Sequence, residues 1–448
     1  MRIMEGERLG RRTLLTYGAF ATAAAALGGF TFLRRSGDPD SRGGLAEPTD
    51  DPVEVVYGAG WNVAARSLDH PVSEALARTR DAAGEQYAVL LIVGGVPRMV
   101  IEVCWRAHHA ELWNLDGSGR KYRGVSYRRW PDGRLRLFEV RSWSPGSSGG
   151  EPNFRGRIRR AVAGPVRDVE TWTRTNGGVR QTYVNWSEWP ERARPPDNAP
   201  VPSPGDWPRF AGLTGSVTVR PGSATAPTRF PWRAPQPLRP SHLTELTTPG
   251  TRFVAENGRK VTVERVSAGR LRLPSGRLAV QDPGWSVAEP EPLLATVPAG
   301  EYPVDLFRFA GVGAPHACRV RVTGKPVRSW HLALRAGEHE LFLGDGELYG
   351  AGVDTGTLAL ADATGWPHYK QNDVEQATAD DKALFTSLDD PRPGSPTNMI
   401  VMPTYWGDGS YPVWLGRAAD GEISCYLVDY LPRARPSSSG LRARNKVP

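Results

Sequence analysis

The stretch Trp406-Gly407-Asp408-Gly409-Ser410-Tyr411-Pro412-Val413-Trp414-Leu415-Gly416, followed by Ala419-Asp420-Gly421 and then residues 423–430, decides how this chain is read. Asp-Gly between two apolar runs supplies the positive φ that a tight reversal needs, so residues 411–415 and 423–428 are expected to pair as an antiparallel hairpin. The turns at either end hold Asp408 and Asp429 beside it. Tyr405, Trp406, Tyr411 and Trp414 crowd the same place, either as core or as site.

The same punctuation recurs outward from the hairpin. Asn257-Gly258 precedes a strand at 261–266, and further strands are expected at 271–273, 278–280, 302–309, 319–323, 330–334 and 357–361. Residues 373–388, with Val374, Ala377 and Leu384 apolar among acids, predict a helix. In the first half a short helix at 73–83 leads into strands at 87–93, 99–105, 111–115, 122–130, 135–140, 169–175 and 179–186. Asp116-Gly117, Asp132-Gly133 and Asn176-Gly177 separate them, each preceded by a tryptophan and followed by an arginine. That spacing is too irregular for a propeller and predicts an antiparallel meander. Prolines crowd residues 188–240, where they exclude central strands.

The expected fold is therefore mainly β (β-rich α+β), with two antiparallel β domains after an N-terminal apolar helix. The divisions are 1–35 signal or anchor, 36–52 linker, 53–190 basic and aromatic-rich β domain, 191–242 Pro-rich connector, 243–432 second β-rich domain and 433–448 disordered basic tail. At 448 residues the chain is too long for one ordinary core.

The net charge of +8 is uneven: residues 119–180 hold 15 Lys or Arg against 5 Asp or Glu. Cys104, Cys318 and Cys425 are too few and too scattered for a disulfide framework or a zinc site, and read as buried thiols, with one disulfide open to an exported chain. Arg2, Arg8, Arg11 and Arg12 precede 21 uncharged residues at 13–33, enough for a helix to span a bilayer. Arg11-Arg12-Thr13-Leu14-Leu15 resembles the twin-arginine export signal. With no small-x-small site after it, the expectation is an uncleaved anchor in the cytoplasmic membrane, the rest of the chain lying outside; cleavage would make it secreted.

Four blocks carry a family resemblance. They are Leu273-Pro274-Ser275-Gly276-Arg277 with Asp282-Pro283; Val297-Pro298-Ala299-Gly300-Glu301-Tyr302-Pro303-Val304; Tyr349-Gly350-Ala351-Gly352-Val353-Asp354-Thr355-Gly356-Thr357 with Asp362; and the Trp406 hairpin ending Leu427-Val428-Asp429-Tyr430. In this order they resemble the uncharacterised bacterial family known as domain of unknown function 4241 (DUF4241), over roughly residues 252–432. The resemblance implies a domain boundary and assigns no activity.

Two candidate sites emerge. Asp282, Asp354, Asp362, Asp408 and Asp429, with Tyr411 nearby, would bind a hard divalent cation or work as acid and base if they converge. Asp beside Gly or Pro equally serves turns, and no metal ligand set is assigned. The second candidate is a basic aromatic face of Arg128, Arg129, Trp130, Arg134, Arg136, Arg157 and Arg159, read as a binding surface for anionic lipid or a cell-envelope polymer ahead of nucleic acid. Strand alternation alone yields the same pattern. Gly146-Ser147-Ser148-Gly149-Gly150 matches a hydrolase elbow but is followed by loop residues, and the histidines read as structural. The functional expectation is an exported or membrane-anchored binding protein of the cell envelope. Its rival is a metal-assisted hydrolase using Asp354, Asp362, Asp408, Tyr411 and Asp429.

Overall fold

The computed structural model describes residues 45, 49–143, 156–162, 168–175, 178–185, 187, 194–227, 230–254, 260–284, 290–377, 383–431 and 442–443. The chain is mainly β. It divides into two compact units at Pro235 and Gln236.

In the first unit, β1 (Val53–Gly58) is followed by a small hairpin, β2 (Gly60–Asn62) and β3 (Ser67–Asp69), and by α1 (Glu74–Ala83). Ser73 caps α1 by accepting the Leu76 N–H at 3.2 Å, and Gly84 ends it with φ of 71°. A meander then runs through β4 (Tyr87–Val93), β5 (Val96–Cys104), β6 (His109–Leu115), β7 (Lys121–Arg129), β8 (Arg134–Trp143), β9 (Gly156–Val162), β10 (Asp168–Thr175) and β11 (Gly178–Asn185). Each strand pairs with its predecessor, while β1 lies between β4 and the parallel edge strand β13 (Val217–Val219); β12 (Ala199–Pro200) joins β8. The Asp-Gly-Arg repeat is turn chemistry. Asp116 accepts the N–H groups of Ser118 and Arg120 at 2.9 Å and pairs with the Arg120 side chain at 2.8 Å.

One face of this sheet carries the core: Val53, Tyr57, Val89, Leu91, Ile101, Leu112, Val125 and Tyr127. The Pro-rich stretch supplies its lid, because Pro204–Asp206 and α2 (Trp207–Phe210) fold back and bury Trp207 completely. Burying one such side chain contributes roughly 2–3 kcal/mol.

The second unit begins with α3 (Leu243–Leu246) and β14 (Arg252–Val254), and continues through β15 (Lys260–Leu273), β16 (Leu278–Gln281), β17 (Gly300–Phe309), β18 (Ala317–Arg321), β19 (Ser329–Leu332), β20 (Gly350–Val353) and β21 (Thr357–Asp362). Then come α4 (Gln371–Ala377), β22 (Thr386–Asp389), β23 (Asn398–Pro403), β24 (Gly409–Arg417), β25 (Ile423–Asp429) and β26 (Arg442–Ala443). The larger sheet runs β19-β24-β25-β18-β17-β15-β14-β26, with β20 also on β24; the smaller runs β16-β21-β23-β22. Both contribute to one core, Val304, Leu306, Val413 and Val428 meeting Leu278, Leu358, Leu360 and Met402. The expected hairpin is present: Val413 faces Val428 and Leu415 faces Tyr426, with Gly421 at φ of 86° in the reversal.

Two segments depart from the helix and tail readings. Helix α4 is described over Gln371–Ala377, and Thr386–Asp389 within the expected helix is a strand instead, since Leu388 pairs with Met399 and packs against the cluster of Trp366 and Tyr369. Residues Arg442–Ala443 pair with Phe253 and Val254.

The membrane reading is corrected. Among the described residues no helix is long and apolar enough to cross a membrane. The longest described, α1, has 10 residues, and at 1.5 Å per residue spans about 15 Å against a hydrocarbon core of about 30 Å. The expected span at 13–33 and its arginine pair lie outside the described residues, and no twin-arginine signal is in evidence. With the anchor go the readings that rested on it: the exported, extracytoplasmic location, the membrane as partner, and anionic lipid or envelope polymer as ligand.

Candidate functional site

The site-like feature of the second unit is a pair of loops built on one buried carboxylate. Asp282, fully buried, accepts the N–H groups of Gly284, Asp354 and Thr355, each at 2.7 Å, and the Thr355 hydroxyl at 2.8 Å. It therefore spends all its acceptor capacity on the turn 354–356 that joins β20 to β21. Gly356, at φ of 71°, closes that turn, and a Cβ there would lie 3.8 Å from the Gly407 Cα. The second loop, 404–409, is thus its neighbour.

That loop is tied down as tightly. The Thr404 N–H donates to the Gly356 carbonyl at 2.9 Å, while the Thr404 and Tyr411 hydroxyls both donate to the Gly407 carbonyl, at 2.5 and 2.8 Å. Gly407 has φ of 78°, which a side chain would strain. Tyr411 is buried, its ring edge-on to Tyr430 at 5.1 Å, and burial pushes its hydroxyl pKa up. An aromatic series then climbs to the surface, with Phe253 on Phe309, Phe309 on Tyr405 and Tyr405 on Trp406, at centroid distances of 5.7, 6.1 and 5.0 Å. At its end Trp406 is 69 % exposed, with Asp354 and Asp408 exposed beside it in the sequence and on the neighbouring turn.

The five aspartates do not act as one group. Asp362 is buried at the end of β21, where it accepts the N–H groups of Ser275 and Thr364 at 2.8 and 2.9 Å and both their hydroxyls. Asp429 is buried at the end of β25 in the other sheet and accepts the Leu431 N–H at 2.8 Å. Among the described residues no group of three or more His, Cys, Asp or Glu side chains could hold a metal ion. The metal-assisted hydrolase is corrected accordingly, and with it the divalent cation. Asp282 and Asp362 hold turns by their backbone N–H groups, which leaves no lone pairs for a cation.

The basic residues of the first unit are spread by the sheet register. Arg128 faces Arg136 across β7 and β8, while Arg159 faces Val140 and Arg157 faces Ser142. Arg128 is buried, 4.0 Å above the Phe138 ring; Arg129 lies 5.6 Å from the Trp105 ring. Arg134 donates to Asn198 at 2.7 Å, Arg136 pairs with Asp132 at 3.4 Å, and the Trp130 N–H closes the turn on the Arg134 carbonyl. Gly146–Gly150 lies outside the described residues. The three cysteines are free and buried.

Sequence reasoning did not find Thr355 and Thr404, whose hydroxyls fix the two loops. Their only signal was position, one residue beyond Asp354 and two before Trp406.

Fold and loops together define a mainly β protein of two units, the second presenting a rigid aromatic and acidic loop pair. Residues 271–428, which contain both loops, match the family described as Protein of unknown function (DUF4241). The comparisons with curated proteins and with solved structures gave no match.

Proposed function

We propose that the second unit is a recognition module whose working surface is the loop pair 354–356 and 405–409, and that it takes a cationic side chain of a protein partner. The observation that carries this reading is Trp406, left 69 % exposed on a loop whose backbone is fixed by the Thr404 and Tyr411 hydroxyls, beside a turn fixed by Asp282. An indole held in place offers a large contact area at low ordering cost, which is why tryptophan dominates binding hot spots. Its face attracts a guanidinium or ammonium, and the exposed carboxylates of Asp354 and Asp408 add the matching charge.

Calorimetric titration of the full chain with Arg- and Lys-bearing peptides, beside neutral peptides of equal length, tests the reading. Trp406→Ala is expected to weaken binding at least tenfold, and Asp354→Asn with Asp408→Asn to flatten its salt dependence. Binding that ignores peptide charge, or that Trp406→Ala leaves intact, would remove the proposal.

A further inference from the structure

The first unit carries an unrelated set of ionisable groups. Across β5 to β8, Glu102 stands directly opposite Glu111, Glu111 opposite Ser126, and Ser126 opposite Glu139. The adjacent row places His109 opposite Arg128. By strand alternation these side chains lie on the sheet face away from Leu112, Val125 and Tyr127. Glu102, Glu111, Glu139, His109 and Arg128 are all buried.

Like charges at directly opposed positions destabilise a sheet, and burial removes the water that would screen them. The surrounding cations do not treat the two carboxylates alike. Arg141 is bonded to Glu111 and reaches Glu139 at 2.9 Å through Nε. Glu102 accepts the Trp113 indole N–H at 2.9 Å and a backbone N–H from Trp61, and lies 3.9 Å from the Lys121 ammonium, which itself sits 4.0 Å over the Trp113 ring. His109 brings no charge to the row. Arg128 can only donate, so its 2.9 Å contact fixes Nδ1 as acceptor and the ring proton on Nε2, 3.7 Å from Glu111. Burial, then Arg128 and Arg141, push that ring's pKa well below its usual range.

We propose that Glu102 and Glu111, opposed across β5 and β6, form a coupled carboxyl pair in which Glu102 is the member that holds a proton. The asymmetry of their partners makes this assignment: Arg141 is bonded directly to Glu111, whereas the Lys121 ammonium stands off at 3.9 Å from Glu102, whose oxygen is taken by the neutral indole N–H of Trp113. Burial chiefly, opposed by Lys121 and reinforced by Glu111, raises the Glu102 pKa. A group raised in the folded state stabilises below its unfolded pKa, and that contribution is lost as pH rises through the folded value.

The experiment is a carboxyl-carbon NMR titration of the full chain labelled at glutamate, with the Glu102 signal assigned by its loss in Glu102→Gln. A midpoint above the ordinary value of about 4.3 is expected, moving down in Glu111→Gln and up in Lys121→Met. As a second readout, urea stability should stop falling with rising pH in Glu102→Gln, an isosteric change that retains the indole hydrogen bond. A Glu102 midpoint at or below the ordinary value, or one that Glu111→Gln does not move, would overturn the pair.

Discussion

Replacing Asp282 by Asn alters one atom of a fully buried side chain, and the hydrogen bonds around that atom set the cost. One carboxylate oxygen takes the N–H groups of Asp354 and Thr355; the other takes the Gly284 N–H and the Thr355 hydroxyl. In the variant the amide oxygen can serve only one of these pairs. If it keeps Asp354 and Thr355, the amide NH2 faces the Gly284 N–H, and a stranded buried donor costs about 1–3 kcal/mol. The two retained bonds lose their charge assistance, worth roughly 1 kcal/mol each, while the Thr355 hydroxyl can rotate to accept. The sum is about 3–5 kcal/mol. For a unit of this size each kcal/mol moves the melting temperature by about 2–4 °C, so a fall of roughly 6–20 °C is expected in the transition that reports the second unit. Calorimetry of the full chain measures it, and the binding titration should weaken in parallel because turn 354–356 loses its anchor. An Asp282→Asn protein melting within 2 °C of the parent would refute the view that Asp282 is committed to this turn.

The remaining predictions concern buried groups. His316 stacks on Phe309 at 4.2 Å and its Nε2 is 2.8 Å from the Leu246 carbonyl, with burial lowering its pKa to about 4. Because the folded value lies below the unfolded one of about 6.5, stability should drop by up to about 3 kcal/mol as pH falls from 6.5 towards 4. Urea titrations of His316→Gln should lose that slope, and an unchanged slope would show that other groups carry it. Burial raises all three thiol pKa values, Cys425 to about 11 and Cys318 further still, with Asp305 adding to the shift at Cys318. A colorimetric thiol reagent at pH 8 should therefore find almost no reactive thiol in the native chain and three after denaturation; one rapid equivalent before denaturation would contradict the buried placement.

Much of the local structure could be read from the chain. Asp420-Gly421 needs positive φ and lies between apolar runs, so the pairing of β24 with β25 was legible, as was the meander punctuated at Asp116-Gly117 and Asp132-Gly133. Ser73 and Gly84 bracket the first helix for equally local reasons. These features depend on torsional preferences and hydrogen bonds within a few residues. The helix expected at 373–388 shows where that logic ends, because Leu388 gains more by pairing with Met399 than by completing a helical turn.

The candidate site was half legible. Its aspartates stood out as residues, but whether they converge is a long-range question, and the sheets answered it by sending Asp362 and Asp429 to separate turns while leaving Asp354 and Asp408 on neighbouring loops. That Asp282 holds a turn 72 residues away was not readable, since one carboxylate serves a cation or three N–H groups with the same sequence. Nor was the exposure of Trp406, or the burial of Glu102 opposite Glu111, which depends on which strand lands beside which. By itself, then, the sequence determined strands, turns and caps, because those energies are local. Only the tertiary structure decided which polar side chains are spent on the fold and which are left to meet a partner, because burial and register are set by residues far away in the chain.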